Sequence, residues 1–166
     1  LDARTGREAW HYDQPASRTP SSVVANGNIY IPSNGLTVVR PSGTDKKTLE
    51  IAWKDNRFSS GTPSPLVYRG KVFTMSGPIV KCGDATTGKL LWQLRLKGAF
   101  TSSPVAADGH LYYFGETGVT YVVDVTEAKG KIVSENSLGA TILCTPAIAD
   151  NAVFVRSDGH LWKISR

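Results

Sequence analysis

Cysteine, methionine and long apolar runs are scarce in this sequence. Its 166 residues include two cysteines, Cys82 and Cys144, and one methionine. The two cysteines form neither a CxxC motif nor the spaced sets that bind zinc or build a disulfide framework. No apolar run approaches the roughly 18 residues that a membrane-spanning helix needs. The sequence therefore excludes a disulfide-rich scaffold and predicts no direct membrane span.

Runs of one charge are also missing. The sequence has 19 Lys and Arg against 14 Asp and Glu, a net charge of +5 with a pI of about 9.3. The basic residues are scattered, and the longest basic run is Lys46-Lys47. Proteins that bind nucleic acid usually concentrate such residues on one face or helix. We therefore expect no nucleic-acid partner.

No stretch shows sustained 3.6-residue apolar spacing, so we predict little or no helix. What the chain does contain is a repeat, because Asp84–Trp92 (DATTGKLLW) closely matches Asp2–Trp10 (DARTGREAW). In each copy an Asp-x-x-Thr-Gly turn is followed, four residues after the Gly, by a Trp. The Asp and Thr side chains can bond backbone amides in such a turn, and Gly accepts a positive φ.

A second pattern, strand-turn-strand, occurs four times. Its turn residues Gly27, Gly70, Gly109 and Asn151 are spaced by 43, 39 and 42 residues. A Gly-containing turn and a third strand follow each hairpin, at 35–39, 77–81, 118–123 and 159–164. The Asp-Thr-Gly turn and a fourth strand then close the unit. We predict such a fourth strand at Ala9–Tyr12, whose neighbouring strand is expected upstream of residue 1.

Four short strands per roughly 40 residues are typical of a β-propeller blade. We therefore predict one all-β domain over residues 1–166, a partial propeller of four-stranded antiparallel blades. Its repeat units are 1–15, the end of a blade, then 16–57, 58–97 and 98–139, and the incomplete 140–166. This is a fragment of about three full blades and two partial blades, roughly half a ring.

The repeat resembles the tryptophan-docking motif of the pyrroloquinoline-quinone-like (PQQ-like) propellers. Trp10 and Trp92 match that motif, and Trp53 matches in part because its copy has a longer turn at 44–47. The copy after Asp124 keeps Gly130 but has Ser134 at the Trp position. The resemblance implies a closed ring of seven or eight blades, in which each Trp packs against the turn of the next blade.

Two functional branches follow from this resemblance. One consists of quinoprotein dehydrogenases, which oxidise alcohols or sugars with PQQ and Ca²⁺. The other consists of non-catalytic propellers, such as the lipoprotein that assists outer-membrane β-barrel assembly. The alcohol-oxidising enzymes carry adjacent cysteines, whereas Cys82 and Cys144 stand 62 residues apart here. We expect both cysteines to be small buried apolar residues.

The acidic residues and histidines do not predict a catalytic, cofactor-binding or metal-binding site. Six aspartates fall in repeated turns: Asp2, Asp84, Asp124, Asp108, Asp150 and Asp158. Glu116, in a loop after the second strand of its unit, is the one acid that no repeat feature explains. His110 and His160 follow Asp-Gly at different hairpins, and His11 lies beside Trp10. We expect all three to be solvated.

The remaining hypothesis is interaction with other proteins, since propeller loops gather on two broad faces of a rigid scaffold. Five arginines could contribute to such a face: Arg40, Arg57, Arg69, Arg95 and Arg156. The sequence favours a non-catalytic protein-binding scaffold that needs no cofactor. Its expected partners are a protein and the missing blades of its own chain. Periplasmic or outer-membrane localisation comes from the resemblance alone. The alternative is part of a dehydrogenase that uses PQQ and Ca²⁺.

Overall fold

Four antiparallel sheets make up the computed structural model, which describes residues 2–42 and 48–165. Each sheet is formed by consecutive strands, and we name them blades 1 to 4 in chain order. Blade 1 contains β1 (Val23–Ala25), β2 (Asn28–Ile31), β3 (Leu36–Ser42) and β4 (Thr48–Asp55). Blade 2 contains β5 (Leu66–Tyr68), β6 (Lys71–Ser76), β7 (Ile79–Asp84) and β8 (Leu90–Arg95).

Blade 3 repeats this order with β9 (Val105–Ala107), β10 (His110–Phe114), β11 (Val119–Asp124) and β12 (Lys131–Ser137). Blade 4 has three strands, β13 (Ala147–Ala149), β14 (Ala152–Arg156) and β15 (Leu161–Ser165). A single 3₁₀ turn, Asn56–Phe58, is the one helical segment in the described ranges. The predicted all-β partial propeller with little helix is confirmed.

Two-residue turns of left-handed backbone join the first two strands of every blade. Asn26-Gly27, Arg69-Gly70, Asp108-Gly109 and Asp150-Asn151 all have positive φ, between 47° and 76°. Turns of this kind match the right-handed twist of the flanking strands. The recurring turn residues seen in the sequence are therefore explained by the left-handed backbone that these hairpins require.

The core consists of three apolar clusters, one between each pair of neighbouring blades. In each cluster a residue of the connector between the blades is buried. Phe58 enters the cluster of blades 1 and 2, Phe100 that of blades 2 and 3, and Ile142 that of blades 3 and 4. Their exposures are 0%, 7% and 0%. Each blade is thus stabilised by its neighbours rather than by a core of its own, as expected for repeat architectures.

One prediction about local structure is wrong. Cys144 was expected to be buried but is only half-buried, because it lies in the link before β13, which begins at Ala147. Ala9–Tyr12 pairs with no strand within the described ranges, and a strand needs a ladder partner, so the strand predicted there stays a prediction. The lengthened turn at 44–47 lies outside the described residues, so the docking partner expected for Trp10 does too.

Candidate functional site

The antiparallel order of the strands gives the arc two faces. The "connector face" carries the loops between second and third strands and the links between blades: 32–35, 56–65, 77–78, 96–104, 115–118, 138–146 and 157–160. The "turn face", at the opposite ends of the strands, carries the two-residue hairpins and the Asp-Thr-Gly turns. Loops on a rigid scaffold are the usual place for function, so both faces are candidates.

On the turn face, Trp53 of blade 1 docks on the Asp-Thr-Gly turn of blade 2. Its Nε1 donates a hydrogen bond of 3.0 Å to the Ala85 carbonyl oxygen, which also accepts one of 3.0 Å from the Tyr30 hydroxyl. The indole packs so closely against Gly88 that a Cβ added to this glycine would stand 2.6 Å from the ring. Trp53, whose copy of the motif matches only in part, therefore docks on the next blade and has a structural role.

Trp92 docks between blades 2 and 3 in a different way. It lies against Gly130, where a Cβ would stand 2.5 Å from the indole, and its ring centroid is 5.9 Å from that of Phe73. Its buried Nε1 has no hydrogen-bond partner within the described residues. In blade 3 the Val125 carbonyl, at the position of Ala85, accepts instead from Lys71 Nζ at 2.8 Å. Trp92 therefore stabilises the interface by apolar burial alone.

A chain of hydrogen bonds links the starts of the first strands. The backbone amide of Ser21 donates to Ser64 Oγ at 2.9 Å, that of Ser64 to Ser103 Oγ at 2.9 Å, and that of Ser103 to Thr145 Oγ1 at 3.1 Å. The repeated Ser or Thr at these positions was visible in the sequence, but its role between blades was not. The signal was the recurrence of a small hydroxyl residue at the repeat spacing.

The aspartates of the turn motif cap their own turns. Asp84 Oδ1 accepts from the Thr87 amide at 2.7 Å, the Thr86 amide at 3.0 Å and the Thr87 hydroxyl at 2.8 Å. These bonds, above all that from the Thr87 amide, lower the pKa of Asp84. Asp2 and Asp124 have pKa values lowered by equivalent bonds from Thr5 and Thr126. The charged carboxylates are used to fix the backbone.

We expect Asp84 to make the free energy of unfolding depend on acid pH. Its pKa is lower in the folded chain than the ordinary value of about 3.9 in an unfolded one. Its contribution is therefore present above about pH 4 and lost as pH falls through the lowered pKa. When the pH is lowered from 5 to 2, the free energy of unfolding should fall less in Asp84→Asn than in the parent, as measured by urea unfolding. Asp150→Asn, in an exposed hairpin turn, is the control and should follow the parent curve.

The two cysteines differ in environment. Cys82 is fully buried, as expected, and burial raises the pKa of its thiol to about 12. This environment favours the protonated thiol and shields it from solvent, as is typical of a structural cysteine. Cys144 is half-buried on the connector face, where its Sγ donates to the Arg156 carbonyl oxygen at 3.0 Å. Both thiols are free.

Glu116, the unexplained acid, lies on the connector face of blade 3. Its carboxylate accepts a 2.5 Å hydrogen bond from the Thr101 hydroxyl. Its backbone amide donates to the Ala99 carbonyl at 2.9 Å, and its carbonyl accepts from the Ile142 amide at 3.2 Å. The loop thus connects the links on both sides of blade 3, which gives Glu116 a structural position that the sequence did not indicate.

The histidines are placed apart. His110 is on the turn face, His160 is on the connector face, and His11 lies exposed, 3.0 Å from Glu8. Within residues 2–42 and 48–165, no three His, Cys, Asp or Glu side chains cluster closely enough to hold a metal ion.

The five arginines do not share one face. Arg57, Arg95 and Arg156 lie at the connector face, whereas Arg40 and Arg69 lie toward the turn face. Two are paired: Arg57 donates to Asp55 with a closest distance of 2.5 Å, and Arg40 to Glu50 at 3.4 Å. Arg69 stacks on the neighbouring Tyr68 ring, 5.4 Å from its centroid.

The link between blades 3 and 4 carries an exposed apolar residue. Leu143 is 51% exposed on the connector face. The Cys144–Arg156 bond and a 3.2 Å bond from the Asp158 amide to the Thr141 carbonyl hold this link beside the loop after β14. Leu143 therefore directly precedes the residue whose thiol contacts the backbone of the exposed Arg156. We call Leu143, Cys144 and Arg156 the "connector patch".

A family model described as outer membrane protein assembly factor BamB matches residues 76–166. Among curated proteins, no sequence matches the chain. The structure of BamB from Moraxella catarrhalis is similar, with a TM-score of 0.65 and 18% identity over 87% of this chain and 43% of that one. The chain thus spans less than half the length of that BamB.

Two further solved structures share the fold. The computationally designed Ika8 protein gives a TM-score of 0.72 at 17% identity, over 97% of this chain and 50% of that one. A europium-containing methanol dehydrogenase gives 0.56 at 16% identity, over 74% of this chain and 25% of that one. At such identities these similarities show the fold alone. No helix of the described residues is long and apolar enough to cross a membrane.

Proposed function

Because the chain belongs to the PQQ-like propeller family described as outer membrane protein assembly factor BamB, we propose that it is a non-catalytic scaffold for protein binding in the bacterial cell envelope. By that family relationship, its place is the periplasm or the periplasmic side of the outer membrane. Its partners are proteins, and the family name points to the assembly of outer-membrane proteins. In a complete ring the remaining blades of the propeller would flank this arc.

The observation that carries this proposal is the connector patch. A half-exposed apolar side chain on the link and an exposed arginine at the end of β14 offer a partner protein both apolar surface and the residue type, Arg, that is enriched at protein contacts. Leu143 lies there at 51% exposure although Ile142, its neighbour, is fully buried. The buried residue fixes the link in the core, and the exposed one is thereby held in a defined position.

The environments of the titratable and nucleophilic side chains favour a binding role over catalysis. Cys82 is buried with a raised pKa, and the carboxylate of Glu116 is bonded to Thr101. The lowered pKa values of Asp2, Asp84 and Asp124 arise from bonds inside their own turns. None of these groups is positioned as an acid, base or nucleophile toward an open site.

The test is site-specific photocrosslinking in the envelope of the bacterium that makes the protein. With the crosslinking residue at Leu143 we expect discrete adducts with an envelope protein, identified by mass spectrometry. Val133 is the matched control, because it is 48% exposed but lies on the outer strand β12, away from the connector face. Arg156→Glu should reduce the Leu143 adduct at least several-fold while leaving protein abundance unchanged.

A second experiment separates this proposal from the dehydrogenase alternative. PQQ with Ca²⁺ is titrated calorimetrically into the complete propeller. We expect no saturable heat from a protein shown to be folded. Saturable micromolar binding, with equal adducts from Leu143 and Val133, would overturn the scaffold and favour the quinoprotein function of the other branch.

A further inference from the structure

The turn after the third strand is longer in blade 3 than in blade 2. We call Asp84–Gly88 the "short turn" and Asp124–Gly130 the "long turn", since the glycine follows the aspartate by four positions in the first and by six in the second. Both glycines pack against the docking tryptophan of the preceding blade, because an added Cβ would stand 2.6 and 2.5 Å from the respective indole rings. The two extra residues therefore lie between ends that hold equivalent places.

The residue after the aspartate is anchored in the same way in both turns. The Ala85 amide donates to the Gly70 carbonyl and the Val125 amide to the Gly109 carbonyl, each at 3.0 Å. Ala85 and Val125 are both buried. Each turn therefore presents one backbone carbonyl, that of Ala85 or Val125, to the blade before it.

The preceding blades supply different hydrogen-bond donors to this carbonyl. Blade 1 supplies two neutral groups, Trp53 Nε1 and the Tyr30 hydroxyl, each 3.0 Å from the carbonyl oxygen of the short turn. Blade 2 supplies a charged group, because Lys71 Nζ donates to the Val125 carbonyl at 2.8 Å and to the Glu127 carbonyl at 3.1 Å. The lysine thus bonds two carbonyls of the long turn at once.

The strand register shows which residues of the two blades hold equivalent places. Asn28 and Tyr30 in blade 1 correspond to Lys71 and Phe73 in blade 2, as the pairing of the first two strands shows. Phe73 has no hydroxyl, so blade 2 lacks the donor that Tyr30 provides. Asn28 has a shorter, uncharged side chain, so blade 1 lacks the ammonium that Lys71 provides. The two donor sets are therefore alternatives, one for each turn length.

Each donor set fits its own turn better than the other turn. Trp92 packs on the glycine of the long turn, yet its buried Nε1 has no partner within the described residues, so the long turn does not serve an indole donor. On the short turn, the half-buried Lys71 would find the Ala85 carbonyl but no counterpart of the Glu127 carbonyl. A buried donor without an acceptor costs more free energy than a typical hydrogen bond contributes. Pairing a blade with the wrong turn is therefore destabilising.

We propose that Lys71 determines which neighbour blade 2 accepts, because its ammonium fits the long turn of blade 3 rather than a short turn. Repeat proteins are prone to pairing between the wrong repeats, within one chain or between copies. A donor set that fits one neighbour and leaves unpaired groups against the others disfavours such pairings. The charge of Lys71 gives the junction between blades 2 and 3 its specificity, and Trp92 supplies the apolar burial.

The first test exchanges the donors and the turns in the complete propeller. Lys71→Asn/Phe73→Tyr gives blade 2 the donor residues of blade 1, and replacing residues 125–129 by Ala-Thr-Thr gives blade 3 a short turn. We expect each change alone to lower the urea midpoint. The combination should recover a large part of the loss, since donors and turn then match. Losses that simply add in the combination would overturn the proposal.

The second test uses the parent protein, so it does not depend on how the variants fold. An acetylating reagent should modify Lys71 several-fold more slowly than the exposed Lys89, as measured by mass spectrometry of peptides. The two carbonyl bonds hold the Lys71 amine, whereas Lys89 is open to solvent. Equal rates would contradict the bonds on which the proposal rests.

Hydrogen exchange then separates charge from packing. Lys71→Met removes the charge but keeps an unbranched apolar stem, and it should speed exchange of the long-turn amides several-fold. Lys71→Arg keeps the charge and should stay closer to the parent. Lys89→Met, at an exposed site, is the control and should match the parent. Unchanged exchange in Lys71→Met would overturn the role of the ammonium.

Discussion

Trp92→Ala is expected to lower the free energy of unfolding by about 3–5 kcal/mol. The indole is 7% exposed and lies between blades 2 and 3, against Phe73 and Gly130. Since its Nε1 has no partner within the described residues, the loss comes from apolar contacts and the cavity left behind. The measurement is urea unfolding at pH 7, with the midpoint and the slope of the transition both recorded.

The control for Trp92 is Glu116→Ala. This change removes one side-chain hydrogen bond, from Thr101, and leaves the backbone bonds of the loop in place. Its expected cost is about 0.5–1.5 kcal/mol. Equal denaturation midpoints for the two variants would contradict the docking role of Trp92. A smaller loss in Trp92→Phe than in Trp92→Ala would support burial as the source of the effect.

Gly35→Ala is expected to cost about 2–5 kcal/mol, because two separate penalties act at this position. The φ of Gly35 is +88°. A residue with a Cβ is strained by about 1–2 kcal/mol in this left-handed region. The added Cβ would also stand 2.4 Å from the Asp55 carbonyl oxygen and from the Asn56 Cα. Backbone atoms cannot rotate away, so overpacking adds about 1–3 kcal/mol.

Gly27→Ala is the matched control for Gly35→Ala. Gly27 has a φ of +75°, but no atom of the described residues lies within 4 Å of the position that its Cβ would take. Only the strain of about 1–2 kcal/mol therefore applies. The comparison isolates the close approach of the β2–β3 loop to the end of β4. If both variants unfold at the same urea concentration, the close approach does not limit stability.

The sequence predicted the architecture because its signals are local. A two-residue turn such as Asn26-Gly27 needs a backbone that few residues accept, and an Asp-x-x-Thr-Gly turn bonds its own amides. Both recur at the repeat spacing, which sets the number and order of strands. The turn at Asp2 forms even without an adjoining sheet, which shows how little of that motif depends on tertiary structure.

Features that depend on contacts between two blades were harder to predict from the sequence. Ala9–Tyr12 has the sequence of a strand, yet pairing requires a neighbour that its local sequence cannot supply. Cys144 was expected to be buried, but the link before β13 places it beside the Arg156 carbonyl. Glu116 joins the links on both sides of blade 3 through partners 15 to 26 positions away. Such contacts have no periodic signal in the sequence.

By itself the sequence determined the repeat, the turns and the strand order, since each depends on residues within one unit, whereas the docking of the tryptophans was expected from the family resemblance. Only the tertiary structure decided what lies between the units. It set the hydrogen-bond chain from Ser21 to Thr145, the separation of Arg57 and Arg69 onto opposite faces, and the exposure of Leu143 on the link between blades 3 and 4. The physical reason is that packing between blades joins residues about 40 positions apart, where local backbone preferences carry no information.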